Sequence, residues 1–178
     1  SNTKFNSKLL RSFLKNKMRI RIYTKYINKL KEELVKEYDQ QGLRASGKYE
    51  DELQEILSRD NIKLLGAFHS YFMEFGRKPN SNPDNYKKLA PVIFRWIDNK
   101  DGLPSFFREN QKSMSFAIAH KIANEGITVP NKHNKGQVIS KVVKDFIDNE
   151  IPKMLNEIEL IEVERIESDF INELSKKI

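Results

Sequence analysis

Glu74 and Arg77 are the acid and base whose positions first suggest chemistry. They sit in Phe68-His-Ser-Tyr-Phe-Met-Glu-Phe-Gly-Arg-Lys-Pro79, an apolar run with one acid inside it, stopped by a glycine, an arginine and a proline. A carboxylate among apolar side chains needs a partner, and Arg77 is near enough in sequence to supply one. Gly76 and Pro79 then turn the backbone. The pattern reads as a buried, ion-paired corner with Tyr71, Glu74, Gly76, Arg77 and Pro79 as its members. Acid–base catalysis would need a second titratable group at a suitable local spacing, and the segment has none. His69, His120 and His133 stand far apart, a poor spacing for a metal. Asp98-Asn-Lys100 has the Asp-x-Lys outline of some nucleases, but so short a pattern arises by chance and falls at a helix end. The sequence contains no phosphate-cradling glycine loop, nucleophile elbow or zinc-binding helix. These residues predict a building block, with no catalytic residue, metal, cofactor or small-molecule substrate.

Charge placement is the second signal. The chain has 178 residues and a net charge of +7, with 38% hydrophobic and 32% charged residues. That suits one domain plus extensions. Eleven Phe, six Tyr and one Trp argue against wholesale disorder. Zero cysteines exclude disulfides and thiolate metal sites, and fit a reducing compartment. No apolar run approaches the roughly 20 residues of a membrane span, and the basic N-terminus lacks the apolar stretch of a secretory signal. Ser1-Asn2 reads as a tag remnant, or Ser1 as the residue after a removed methionine. Residues 1–31 hold ten Lys and Arg and no acid, whereas residues 145–178 hold ten acids against four bases. Two oppositely charged ends thus flank a nearly neutral body.

The basic arm, with Lys8, Arg11, Lys15, Lys17, Arg19, Arg21 and Lys25, has three readings. It is a solvated helix face, or a contact with another subunit's acidic surface, including this chain's own tail in a neighbour, or a contact with nucleic acid. In the last case affinity would be steeply salt-dependent. Phe13, Tyr23 and Tyr26 are available for stacking on bases, but their spacing fits core packing better.

The elements that must position these residues follow from periodicity. Leu9, Leu10, Phe13, Leu14, Met18, Ile22, Tyr23, Tyr26, Ile27, Leu30, Leu34 and Tyr38 predict a long helix over 7–40, stopped near Gly42. Residues 43–67 are ambiguous: Tyr49, Leu53, Ile56 and Leu57 fit a helix or a twisted strand. Asn61 to Gly66 reads as a strand, with Arg59-Asp60-Asn61 as a hairpin turn. Residues 68–75 are a strand or a short helix. A polar loop follows over 79–90, and Pro91 sits where a helix can begin, carrying Val92, Ile93, Trp96 and Ile97 inward. A helix over 111–125 presents Met114, Ile118, Ile122 and Ala123, with small Ala117 and Ala119 permitting close approach, a loop over 127–136 is long enough to reach a neighbour, and a helix resumes at 137–150. The last stretch is mostly helical, with Ile158 to Ile166 open to an edge strand. The expected fold is α+β: a long N-terminal helix, a small antiparallel sheet packed against several helices, and a helical C-terminal extension. Three parts are expected: a basic arm at 1–25, a core at 26–150 and an acidic extension at 151–178.

The order of these pieces is more specific than any one of them. It runs from Gly-Leu-Arg-Ala-Ser-Gly at 42–47 through a hairpin to Tyr71-x-x-Glu74-x-Gly-Arg77-x-Pro79. Ile93-x-x-Trp96-Ile97-x-x-Lys100 follows, then Phe116-Ala-Ile-Ala-x-Lys-Ile-x-x-x-Gly126-Ile127. Over roughly residues 26–150 this resembles the neck and tail-completion proteins of tailed bacteriophages, small subunits that form rings between portal and tail. The resemblance implies that Leu43, Ser46 and Gly47 lead into a first strand and that Tyr71, Glu74, Gly76, Arg77 and Pro79 end a strand pair. It implies that Trp96, Ile97, Lys100, Ala117, Ile118, Ala119, Lys121, Ile122, Gly126 and Ile127 form the helical part packed on that sheet. All are fold residues. The resemblance further implies a virion protein assembled in a bacterial cytoplasm. Its expected partners are copies of itself in a ring, the portal, other neck or tail proteins and packaged DNA, with no membrane. The basic residues 1–22 and the acidic stretch after about 155 depart from the pattern. The alternative reading is a small basic nucleic-acid-binding module using residues 4–31.

Overall fold

The computed structural model describes residues 2–58, 61–66, 69–80 and 82–175, with side chains from residue 13 onward except that of residue 83. The fold is α+β. Its helices are α1 (Asn2–Gln40), α2 (Lys48–Asp51), α3 (Ser70–Phe75), α4 (Tyr86–Asn99), α5 (Ser105–Glu109), α6 (Gln111–Glu125), α7 (Ser140–Asn149) and α8 (Ile151–Leu174). Strands β1 (Gln54–Leu57) and β2 (Ile62–Leu65) pair antiparallel, with Gln54 opposite Leu65 and Leu57 opposite Ile62. No helix among the described residues is long and apolar enough to cross a membrane.

The chain divides into two compact units, one drawn from residues 1–32, 54–65 and 143–178, the other from 33–53 and 66–142. The basic arm and the acidic extension therefore belong to the same unit, although the sequence sets them at opposite ends. α1 begins in the first unit and ends in the second.

The first unit is built on α1 and α8. Both carry apolar residues at three- and four-residue steps, which lays them on one stripe of each helix. Ile22 and Tyr26 of α1, Phe146 of α7 and Met154 of α8 are buried together, with Tyr23, Leu30, Ile151, Ile158 and Ile161 packed around them. Complete burial of side chains of this size stabilises by roughly 1.5–3 kcal/mol each. Ile158 to Ile166 is helical throughout, so the edge-strand option there falls. The hairpin adds little burial: Gln54, Glu55, Ile56 and Leu65 are exposed. Its expected turn at Arg59-Asp60 lies outside the described residues. The described side is closed by the Ser58 N–H donating to the Asn61 carbonyl at 2.8 Å.

The second unit centres on α4 and α6, its most extensively packed pair. Small buried residues, Ala90 on α4 and Ser115, Ala119 and Ala123 on α6, let the two backbones approach closely, beside the fully buried Ile97 (0% exposed). Burial on α6 thus goes to the small positions, while Ile118 and Ile122 are half-buried. Trp96, expected in the core, is 36% exposed, one step round the helix from Ile97. α4 starts at Tyr86, five residues before the expected proline start, so Pro91 lies inside the helix. Tyr38 and Tyr49 stack with ring centroids 4.4 Å apart, and both are buried. Between the expected entry to a first strand at Leu43 and the expected end of the strand pair at Pro79, the strands among the described residues are 54–57 and 62–65, whereas 48–51 and 70–75 are helical. Both readings of residues 43–67 are thus partly right. Tyr49 is buried from a helical turn, Leu53 is buried at its end, and the chain then extends with Ile56 exposed.

Candidate functional site

The seven basic residues expected to form an arm lie on α1. Lys8 and Arg11 have side chains outside the described ones, and the others separate into two groups. Lys15 donates to Glu162 at 2.7 Å, and Arg19 reaches the other oxygen of Glu162 at 2.7 Å. Lys25 donates to Glu157 at 2.5 Å, which also accepts the Tyr26 hydroxyl at 2.8 Å. Lys29 pairs with Glu150 at 2.8 Å, as does Lys153 at 2.7 Å. As α1 is followed forward, its partners in the acidic stretch step backward, which is how antiparallel helices meet. The acidic tail therefore answers the basic arm within one chain, rather than only in a neighbour. Lys17 and Arg21 point elsewhere: both are exposed and neither has a carboxylate partner among the described residues.

These pairs shift their titrations. The Lys15 hydrogen bond holds Glu162 below the usual carboxylate range against the opposing effect of burial. Lys25, and after it Tyr26, does the same for Glu157. Lys153 and then Lys29 hold Glu150 low. Burial, reinforced by the bond to Glu157, pushes the Tyr26 phenol up to about 12.

The corner at 71–79 has a different construction from the one its sequence suggests. Glu74 does not pair with Arg77. Its carboxylate accepts the N–H groups of Ile139 at 2.9 Å and Ser140 at 3.3 Å, and the Ser140 hydroxyl. These N–H groups open α7, where no carbonyl of the helix can reach them, and a negative charge also suits that end of the helix dipole. Arg77 instead donates to Asn80 at 2.8 Å and lies over the Phe72 ring, 5.9 Å from its centroid. Tyr71 is exposed. Helix geometry explains the change of partner. α3 ends at Phe75, and Gly76, at φ 74° and ψ −163°, swings the next residue away from the face that carries Glu74.

Gly76 has a counterpart. Gly126 ends α6 with φ 77° and ψ −161°. The residues that follow the two glycines pair across the gap: Arg77 N–H donates to the Ile127 carbonyl at 2.8 Å and Ile127 N–H to the Arg77 carbonyl at 2.7 Å. Asn80 N–H donates to the Ala123 carbonyl at 2.8 Å. A Cβ on Gly76 would overlap the Ile127 carbonyl oxygen, and one on Gly126 the Arg77 carbonyl oxygen. Glycine is required at both positions because two backbones touch there.

The loop at 127–136, expected to reach a neighbour, folds back on its own unit. Asn134 donates to the Met73 carbonyl at 2.9 Å, Gln41 donates to the Gly136 carbonyl at 3.1 Å, and the Lys135 N–H donates to Gln41 at 3.1 Å. Lys100, the base of the nuclease-like outline, donates to the Gly42 carbonyl and, at 2.7 Å, to the Arg44 carbonyl. It secures the turn after α1. His69 lies beside Tyr49 and 3.6 Å from Glu52, while His120 meets Tyr86 and Asn124. No three His, Asp or Glu residues among the described ones come together as a metal site. Glu150, Glu157 and Glu162, the members that sequence reasoning left unnamed, were signalled only by the excess of acids after residue 145. Comparison with family models, curated proteins and solved structures finds nothing that matches this chain.

Proposed function

We propose that this chain is a structural subunit of a tailed-bacteriophage head–tail connector, a ring in the neck that joins portal to tail and helps retain packaged DNA. The observation that carries the reading is the joint between Arg77 and Ile127. The two motif stretches behind the resemblance, 71–79 and 117–127, meet there, and their glycines serve the backbone. The chain's apolar exposure is a second support. Phe13, Phe75, Phe106 and Phe170 all face solvent, so each unit offers aromatic side chains to a neighbour.

The rival is a nucleic-acid-binding module using residues 4–31. Four bases of that segment, Lys15, Arg19, Lys25 and Lys29, already hold glutamates. Deleting the arm would also remove Ile22 and Tyr26 from the core, so it is a poor test. Negative-stain imaging of the protein with and without a portal ring is direct. A closed annulus or a decorated portal is expected. A bare portal, together with salt-sensitive DNA binding that Lys17→Glu/Arg21→Glu abolishes, would replace this reading with the rival.

A further inference from the structure

α8 has a second apolar face that its own unit leaves uncovered. Met154, Ile158 and Ile161 look into the core. Leu160, Val163 and Ile171 are exposed, Leu160 at 63% and Ile171 at 61%. Helical spacing places Leu160, Val163, Glu164, Glu167 and Ile171 on one stripe, turned roughly a third of the way round the helix from the core stripe. Glu164 and Glu167 are exposed and pair with no base among the described residues. The same unit carries a matching stripe. Leu14, Lys17, Met18 and Arg21 recur on α1 at steps of three, four and seven. Leu14 and Met18 are exposed apolar residues, and Lys17 and Arg21 are the bases left without carboxylates.

We infer that these two stripes are the halves of a self-association surface, with the Leu14–Arg21 stripe of one copy lying on the Leu160–Ile171 stripe of a second copy. The occupant is a second copy because the chain itself supplies both complementary sides. One side is apolar and basic, the other apolar and acidic, and both belong to one unit. Within the chain, α1 and α8 already associate by this combination of apolar packing and Lys/Arg–Glu pairs. The outward stripes repeat that chemistry with the residues the internal contact leaves over. Electrostatic complementarity of this kind sets partner and orientation, and a head-to-tail contact between two different stripes uses each stripe once per copy and closes into a ring where the rotation allows. The inference rests on the structural-subunit reading for its setting, and names the surface by which copies meet.

The test is sedimentation velocity on the full chain over a concentration series. The parent is expected to sediment above its 20.9 kDa protomer mass, more so at about 0.1 M than at about 1 M salt, where the Debye length falls from about 10 Å to about 3 Å. Glu164→Lys/Glu167→Lys and Lys17→Glu/Arg21→Glu should each weaken self-association at least roughly a hundredfold, since each sets like charges against one another. Their helical circular dichroism should be unchanged. Mixed in equal amounts, the two variants should associate again, because each then offers the charge the other needs. Leu160→Ser/Ile171→Ser, which alters no charge, should reach the same monomeric end point. A parent that stays monomeric overturns the inference, as does association indifferent to both reversals or a mixture of folded variants that fails to recombine. If the portal is nevertheless decorated, the neck reading survives and only this surface is lost. Pairs that form through these stripes but ignore the portal would keep the surface and remove the neck reading.

Discussion

At Gly126 a methyl group has nowhere to go. Its backbone conformation is open to almost no other residue, and a side chain there would collide with the Arg77 carbonyl. Strain of this kind costs about 1–3 kcal/mol before the collision is counted. Gly126→Ala should therefore lose at least about 3 kcal/mol, a drop of roughly 6–12 °C in melting temperature for a chain of this size. Gly102 is the control: its φ is also positive, at 74°, but nothing lies within 4 Å of its missing Cβ. Gly102→Ala should cost only about 1 kcal/mol. Glu74 offers a second measurement. Glu74→Ala removes the acceptor at the start of α7 and should cost about 1–2 kcal/mol, as a lost helix cap does. In a double-mutant cycle with Arg77→Ala the coupling should stay below about 0.5 kcal/mol, because the two side chains share no bond. A coupling of several times that size would restore the ion-paired corner.

For the helices of the first unit the controlling variable is pH. A carboxylate whose folded pKa lies below its unfolded value adds stability that is complete above the unfolded value. That stability is lost as pH falls through the folded one. Glu150, Glu157 and Glu162 are all of this kind, with an ordinary value of 4.5. Melting temperature should hold from neutrality down toward that value and then fall. The acid drop should be shallower in Glu162→Gln, which has lost its share of the linkage already. An equally steep drop in that variant would show that the pairing with Lys15 and Arg19 is not the source. The long helices were legible in the sequence, because three- and four-residue apolar steps are a local property, whereas α2, α3 and α5, at four to six residues each, are too short to show a period. The strand at 62–65 was legible too, being short and bounded by Gly66. The start of α4 was not, since Pro91 lies beyond the first turn, where a proline is ordinarily placed, and five helical residues precede it. Nor were the partners of Glu74 and of the arm. The nearest opposite charge in sequence was Arg77, but a helix end and a glycine turned it away, and the true donors stand 65 residues further on. Charge counts revealed that arm and tail are complementary. They carried no information on whether the two meet within one chain.

In the molecule as a whole, apolar side chains face water on both units, and four bases of the arm are engaged by the acidic stretch. That combination suits a part whose remaining surface is meant for neighbours, and portal imaging addresses it directly. The engagement of the ends also has a temporal side. Translation delivers α1 before the acidic helix, with more than a hundred residues between them, so at 5–20 residues per second the arm waits on the order of ten seconds for its counterpart. Until then Ile22 and Tyr26 have no lid, and a run of bases travels unneutralised beside ribosomal RNA. Residues 33–53 and 66–142, the second unit, are all synthesised in that interval. A nascent chain halted before residue 150 would thus carry Lys15, Arg19, Lys25 and Lys29 without the glutamates that hold them, the form in which this polypeptide would be most prone to capture by nucleic acid.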